Sequence, residues 1–226
     1  MQNQPKPLLS KEKILHAARI LLQQHGLEEF SMRKLGAELG VQAMSVYRYF
    51  PNKKALLDSV LEELQVNVQL PEAGGRWMDR LRLICRAYNQ TMQRNAQLQT
   101  LLGARESKPK NPLPVMEALH CALSESGMSQ TLQVQSYVDL IIFLKGFPLY
   151  EAEVSEANSP ENTVNFLTQP QTAAYPHLQK IAPKLYTLDN QTQFNCSLDT
   201  ILSGIKQKLK AEQKTSKAEK NALNLY

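Results

Sequence analysis

Apolar residues recur at helical spacing along most of the chain. The first stripe begins after Ser10, a residue type that caps helices, and it consists of Ile14, Leu15, Ala18, Leu21 and Leu22. Steps of three and four residues bring such side chains onto one face of an α-helix. Similar stripes return as far as Leu209, and no segment shows the sustained alternation that is typical of a strand. The pattern therefore predicts an all-α protein.

The segment 31–57 predicts two short helices around a tight turn, followed by the start of a longer helix. Ser31 can cap the first helix, because its hydroxyl accepts a free N–H group at the helix start. Gly40 stands where that helix must end, and glycine adopts left-handed angles at little cost. The second helix is expected from about residue 42 to residue 50, with Val46 turned inward. This is the layout of a helix-turn-helix, whose second helix enters the DNA major groove.

The same segment resembles the DNA-binding end of the TetR family of bacterial transcriptional repressors. The matching residues are Gly26, Phe30, Ser31, Arg33, Leu35, Gly40, Val41, Ser45, Tyr47, Phe50, Lys53, Leu56 and Leu57. Their combination is specific, since a glycine turn and a helix with tyrosine near its end precede an N-K-K-x-L-L helix start. The resemblance implies a three-helix DNA-binding head, joined by a linking helix to a larger helical ligand-binding and dimerisation domain. A three-helix packing unit that does not touch DNA is the alternative that the residues leave open.

A set of residues in this head is predicted to lie at the DNA. Its members are Ser31, Arg33, Gln42, Ala43, Met44, Ser45, Tyr47, Arg48, Lys53 and Lys54. The lysines, Arg33 and Tyr47 suit phosphate groups, which set affinity and its salt dependence but carry no sequence information. Gln42 and Arg48 can read base edges, and the apolar side chains between them suit a thymine methyl group. Ser45 can bind a base or a phosphate, and partial burial of Tyr47 in the core is left open.

The chain divides into a head, a body and a tail. A fourth helix is expected to begin near Asn52, and a break rich in proline and glycine follows it at residues 71–75. The predicted domains are a helix-turn-helix DNA-binding domain at 1–52 and a helical ligand-binding and dimerisation domain at 53–212. The segment 213–226 is charged and lacks an apolar stripe over most of its length, so a disordered basic tail is predicted there.

Two helices of the body are predicted to form a homodimer interface. One lies near 130–147, with Ser129 as its cap and Pro148 as its end or kink, and the other lies near 191–210. The resemblance implies that this pair meets its twofold mate in a four-helix bundle. The alternative is that both helices only close the monomer core. A dimer is favoured because helix-turn-helix repressors read two half-sites about 34–36 Å apart.

A mostly apolar effector pocket is predicted from side chains of the body and the linking helix. Its residues are Leu64, Tyr88, Met92, Leu101, Met116, His120 and Phe147. Such a lining suits an apolar or aromatic molecule. Each of these residues is also an ordinary core residue by type. The segments 101–105 and 194–205 resemble the tetracycline-repressor branch of the family, but Leu101 stands where that repressor has a magnesium-binding histidine, so we expect a different ligand.

Composition and missing motifs exclude several classes of protein but do not identify a function. The net charge is +5, but much of the basic character lies in residues 206–226, so the charge says little about DNA binding. The three cysteines are far apart, which indicates buried thiols rather than a zinc site or disulfides. No G-x-S-x-G, P-loop or H-E-x-x-H motif occurs, so we expect no enzyme, no cofactor and no metal. No signal peptide or membrane span is indicated, and a cytoplasmic protein is expected.

These observations predict a DNA-binding transcriptional regulator. Its partners would be double-stranded operator DNA, a small-molecule effector and a second copy of the chain, with no membrane. Two alternatives remain from the sequence. One is a DNA-binding regulator without a small-molecule ligand, and the other is a helical small-molecule carrier that has lost DNA binding.

Overall fold

The computed structural model describes residues 9–72, 74–95, 113–156, 169–184 and 189–223. Within these ranges the chain is helical and contains no strand, which confirms the all-α prediction. The α-helices are α1 Lys11–His25, α2 Met32–Glu38, α3 Ala43–Tyr47, α4 Lys53–Val66, α5 Trp77–Gln93, α6 Leu113–Ser124, α7 Gln130–Glu156, α8 Pro176–Ile181 and α9 Asn190–Leu223. Short 3-10 turns cover Pro170–Thr172 and Ala182–Lys184. None of the helices in the described ranges has the length and apolar character needed to cross a membrane.

The predicted N-caps are confirmed by side-chain hydrogen bonds. Each cap accepts the backbone N–H group three residues further along, at 3.3 Å for Ser10, 3.1 Å for Ser31 and 2.8 Å for Asn52. Ser129 caps α7 in the same way, at 3.3 Å. Such a bond satisfies one of the N–H groups that a helix start leaves unpaired, and it is worth about 1 kcal/mol. Local sequence thus sets where α1, α2, α4 and α7 begin.

The chain forms two compact units, which we call the head unit and the body unit. The head unit comprises residues 1–68 and 91–114, and the body unit comprises residues 69–90 and 115–226. Helix α4 packs on α1 within the head unit. The predicted domain boundary after residue 52 therefore falls inside a compact unit, since α4 covers the same core as the three helices before it.

The core of the head unit holds the helix-turn-helix in place. Its fully buried side chains include Ile14, Leu22, Leu35, Val46 and Leu56, one or more from each of the four helices. Gly26 and Gly40, which end α1 and follow α2, have φ values of 71° and 65°, as expected for left-handed turns. Helix α3 is shorter than predicted, since it covers only Ala43–Tyr47 and passes into turns before Pro51.

In the body unit, α7 packs against α9 through aromatic rings. The ring of Phe194 lies 5.1 Å from the rings of both Phe143 and Phe147. Pro148 was predicted to end or kink α7, and the helix does not end there but continues to Glu156. Proline removes one helical hydrogen bond. Phe147 and Leu144 are buried beside it, and tertiary packing of this kind holds a helix together across a lost bond.

The last helix also extends beyond the prediction. Residues 213–223 were expected to be disordered, but α9 runs on to Leu223, and only residues 224–226 lie outside the described part of the tail. Lysine, glutamate, glutamine and alanine dominate this stretch, and all four favour helix. Glu212 also anchors the helix, because its carboxylate accepts the backbone N–H of Ser129 at 3.0 Å as well as the Ser129 hydroxyl.

The cysteines differ in their surroundings. Cys85 is buried, and burial raises the pKa of its thiol to about 12. Cys121 and Cys196 are exposed, so the prediction of buried thiols is wrong for these two. Cys121 lies on the outer side of α6, whose inward face carries Ala122 and Leu123.

Candidate nucleic-acid interface

Helix α3 has one buried and one exposed face, as a recognition helix requires. Val46 is fully buried, whereas Met44 is 71% exposed and Tyr47 is 41% exposed. Gln42 and Arg48, which flank the helix, are also exposed. The side chains predicted to meet DNA and the side chain predicted to meet the core therefore lie on opposite faces of one short helix.

Gly36 sets how closely α3 approaches α2. A Cβ atom at this position would lie 2.9 Å from the carbonyl oxygen of Val41 and 3.0 Å from the backbone nitrogen of Ala43. The backbone N–H of Val41 also donates to the carbonyl of Gly36 at 2.8 Å. Because the close neighbours are backbone atoms, they cannot rotate away as a side chain would. Gly36 is thus a positioning residue for α3 that the sequence reasoning missed.

The start of α3 leaves its first polar side chain available. Gln42 is the N-cap residue, with extended angles, but its side chain makes no capping hydrogen bond. The amide therefore remains open to an outside partner such as a base edge. Ala43 and Ser45 are half-buried. Residues near the start of a recognition helix are those that contact base edges in helix-turn-helix proteins.

The cations beside α3 fall into two groups. Arg33 and Lys54 are exposed, whereas the amine of Lys53 donates to the carbonyls of Phe30 at 2.7 Å and Leu27 at 3.3 Å. It also lies 5.5 Å from the centre of the Phe30 ring. An ammonium group has three donors, so one remains for a phosphate. Lys53 thus ties the start of α4 to the loop before α2, a role that the sequence did not indicate.

Two further side-chain contacts lie in the head. The hydroxyl of Tyr49 donates to the carbonyl of Leu9 at 2.6 Å, which fastens the chain before α1 to the end of the helix-turn-helix. Lys34 pairs with Glu29 at 3.2 Å on the surface. Ser31 is engaged as the cap of α2, so its hydroxyl has a structural role besides the predicted DNA contact.

Two family models cover most of the chain. The model for bacterial regulatory proteins of the tetR family matches residues 14–60. The model for the tetracycline repressor-like C-terminal domain matches residues 70–209. The chain belongs to the TetR family. It is a DNA-binding transcriptional repressor of that family, and the resemblance drawn from the sequence is confirmed.

Relatives of known function align over most of its length. The transcriptional repressor DrrR1 of Streptomyces coeruleorubidus is 27% identical over 219 residues, which are 89% of this chain and 78% of that protein. The class C tetracycline repressor of Escherichia coli is 28% identical over 201 residues, 87% of this chain and 90% of that protein. The structure of ActR from Streptomyces coelicolor in complex with actinorhodin shares the fold, with a TM-score of 0.77 and 23% identity over 90% of this chain and 99% of that one.

TetR-family regulators bind operator DNA and small molecules, and they are generally not enzymes. Of the residues predicted for an effector pocket here, Leu64 and Met92 belong to the head unit and are buried. Tyr88 and Phe147 belong to the body unit and are buried as well. Leu101 lies outside the described residues.

The remaining two pocket candidates are half-buried in the body unit. The ring of His120 stacks on that of Tyr137, with their centres 4.3 Å apart, and Met116 lies one turn earlier on α6. Phe147 is in contact with other aromatic rings, as described above. The pocket itself stays a prediction.

Asn89 is a buried polar residue that the sequence reasoning did not single out. It lies on α5 next to Tyr88 and is only 1% exposed. Within the described residues, neither its amide nitrogen nor its carbonyl oxygen has a hydrogen-bond partner. Leaving a buried polar group unpaired costs on the order of 1–3 kcal/mol, so such a group is expected to meet a water or a ligand.

Proposed function

We propose that this protein is a homodimeric repressor that reads operator DNA with α3 and releases it when a small, mostly apolar molecule binds. The observation that carries the proposal is the exposed face of α3, where Gln42, Met44, Tyr47 and Arg48 are accessible while Val46 is buried. Met44 and Tyr47 remain in solvent beside Gln42 and Arg48, so the face offers apolar, aromatic, amide and cationic groups to DNA. The protein acts where its operator is, in the bacterial cytoplasm.

The chemistry of each side chain determines the part of the DNA that it is proposed to contact. Gln42 reads adenine through its open amide, Arg48 reads guanine, and Met44 packs on a thymine methyl group. Arg33, Lys54 and the spare donor of Lys53 bind phosphates, which supply affinity rather than sequence preference. Tyr47 adds a phenolic hydroxyl at the end of α3 for a further phosphate. Ala43 lets the helix approach the groove, and Ser45 donates to a base or a phosphate.

An apolar stripe on α7 supports the dimer. Ile142 is 65% exposed and Val134 is 56% exposed, and the same face carries Val138, Leu149 and Tyr150, all exposed. Steps of four and seven residues place Val134, Val138, Ile142 and Leu149 along one side of the helix, and Tyr150 extends this side at its end. Fully burying one such side chain is worth about 1.5–3 kcal/mol, so packing of this stripe against another protein surface is strongly favoured. The α7 helix of a second copy of the chain presents an apolar surface of the same length.

A hollow beside the stripe supports the same interface. It has a volume of about 380 Å³ and lies between α7 and α9, with Phe143, Phe147, Tyr150, Gln193 and Ser197 in its walls. A side chain from the partner copy can fill it. This agrees with the predicted pairing of the helix near 130–147 with the helix near 191–210.

The unpaired amide of Asn89 supports a ligand-responsive body. Tyr88, a predicted pocket residue, precedes Asn89 on α5, belongs to the same unit and is buried beside it. We propose that the effector is a polycyclic or aromatic molecule with one polar group that hydrogen-bonds to Asn89. ActR, which shares the fold, has been solved with actinorhodin. A molecule that binds only the DNA-incompetent arrangement of the two heads would release the operator by population shift.

The ligand part of the proposal is tested with protein from its native host. Native mass spectrometry of that protein should show a bound small molecule in addition to two chains. Returning the isolated molecule to the repressor on DNA that flanks its own gene should release the DNA. If the DNA stays bound and no molecule copurifies, the protein is a regulator without a ligand. A bound molecule without any DNA binding would instead indicate a carrier.

A further inference from the structure

A cleft in the body unit lies outside everything considered so far. It is formed by the start of α5 and the middle of α9, and it has a volume of about 590 Å³. Its lining includes Arg76, Trp77, Asp79, Lys206, Leu209 and Lys210. This volume is in the range of clefts that bind small molecules. No residue predicted for the effector pocket or for DNA belongs to the lining.

The acidic side chains of this cleft are neutralised by arginines. Arg76 donates to the carboxylate of Asp79 at 2.7 Å, and this hydrogen bond lowers the pKa of Asp79. The buried guanidinium of Arg80 donates to Glu125, the other acid of the cleft, at 2.5 Å, and lowers the pKa of that carboxyl group. Both carboxylates are therefore ionised and already paired with arginines at neutral pH. They are not available to neutralise the lysines of the cleft.

The lysines of the cleft have no such partners in the part of the chain that the structure describes. Lys206 and Lys210 are exposed and lie four residues apart on α9, so they share one side of the helix. Among the described residues, neither makes an ion pair, whereas Lys208 between them pairs with Asp139 at 3.5 Å. Like charges at this spacing repel each other. The cleft therefore has two cations that an anion would stabilise.

The floor of the cleft is apolar. Trp77 and Met78 are half-buried, and Leu209 is buried between the two lysines. Trp77 is also the first residue of α5, so the positive end of that helix faces the same region. An indole surface beside two ammonium groups suits a flat ring that carries a negative charge. Inorganic phosphate would leave the apolar floor uncovered.

We propose that this cleft binds a small aromatic carboxylate, with its ring against Trp77 and its carboxylate near Lys206 and Lys210. The site is separate from the proposed effector pocket, because none of the residues that line the cleft is a pocket residue. Its ligand can therefore act on the repressor independently of the effector.

The position of Trp77 makes the proposal directly measurable. It is the only tryptophan of the chain, so its fluorescence reports on this cleft alone. The probe is 4-nitrobenzoate, whose nitroaromatic ring quenches indole emission, and the comparison is the neutral 4-nitrobenzamide. We expect saturable quenching by the acid, with an affinity for the acid at least about tenfold higher than for the amide, as the loss of charge-assisted contacts implies.

Matched variants separate the site from net charge. The Lys206→Gln/Lys210→Gln variant should bind the acid at least about tenfold more weakly. Lys208→Gln/Lys214→Gln removes the same charge from the same helix outside the cleft and should bind like the parent. Equal quenching by acid and amide, quenching that never saturates, or equal losses in the two variants would each overturn the proposal. Circular dichroism checks that both variants remain helical.

Discussion

At the scale of single residues, the space around the backbone affects the position of α3 as much as side-chain chemistry does. Because Gly36 has no Cβ atom, the backbone of Val41 and Ala43 comes within 2.9–3.0 Å of the place that this atom would occupy, and this approach fixes the direction in which α3 presents Gln42 and Arg48. A methyl group there has to push α2 and α3 apart. The position of the recognition face therefore depends on the lack of a Cβ atom at Gly36.

Gly36→Ala should accordingly lower both stability and operator affinity. Forcing one carbon into a tight contact with backbone costs about 1–3 kcal/mol. Thermal unfolding measures the stability, and binding to operator DNA measures the position of α3. Glu38→Ala, on an exposed site of the same helix, should change stability by less than about 0.5 kcal/mol. A Gly36→Ala protein as stable and as tight on DNA as the parent would refute this role.

The contrast between Ser31 and Gly36 shows what the sequence could and could not predict. A cap is a local feature, because the hydroxyl of Ser31 and the N–H it accepts are three residues apart. The cap was therefore predictable from spacing alone. The need for glycine at position 36 depends on where the backbone returns at residues 41–43, which no local pattern reveals. The internal role of Lys53 was hidden for the same reason, since its partners lie more than twenty residues earlier.

At the scale of helices, packing overrules some local signals and supports others. Pro148 was expected to end or kink α7, but packing of the buried Leu144 and Phe147 beside it holds the helix through to Glu156. The charged tail was expected to be disordered, but strong helix formers and the contact of Glu212 with Ser129 extend α9 to Leu223. The existence of the helices, their capped starts and their amphipathic faces were predictable, whereas the C-terminal ends of α7 and α9 depended on contacts with residues distant in sequence.

The adjacent lysines at the start of α4 give a matched test at this scale. Lys53→Met should destabilise the head by about 1–3 kcal/mol, because two carbonyls lose a charged donor. Lys54→Met should leave stability nearly unchanged, since Lys54 is exposed. Both should weaken DNA binding and reduce its salt dependence, as each removes a phosphate contact. Chemical denaturation and salt titrations of operator binding measure the two effects, and equal unfolding curves for the two variants would contradict the assignment.

At the scale of the whole molecule, the account requires two chains acting together. The stripe on α7 is the surface that a partner would cover, and Ile142 is its most exposed member. Ile142→Glu should turn the dimer into a monomer, because an interface would bury the charge without a partner. Leu178→Glu, at an exposed apolar site on α8, is the matched control and should stay dimeric. Light scattering after size-exclusion chromatography measures the mass, and a dimer that survives Ile142→Glu would place the interface elsewhere.

The central claim is that this TetR-family repressor reads a specific operator through the exposed face of α3. The most direct measurement is fluorescence anisotropy at physiological salt, with labelled DNA that flanks its own gene and a scrambled duplex of the same length. We predict a preference of about 10³-fold or more for the first duplex, which the Tyr47→Ala/Arg48→Ala variant loses while keeping its melting temperature. Tyr175→Ala/Lys180→Ala, which removes an exposed tyrosine and a cation from the body unit, should keep that preference. Unchanged preference in the Tyr47→Ala/Arg48→Ala variant would contradict the claim.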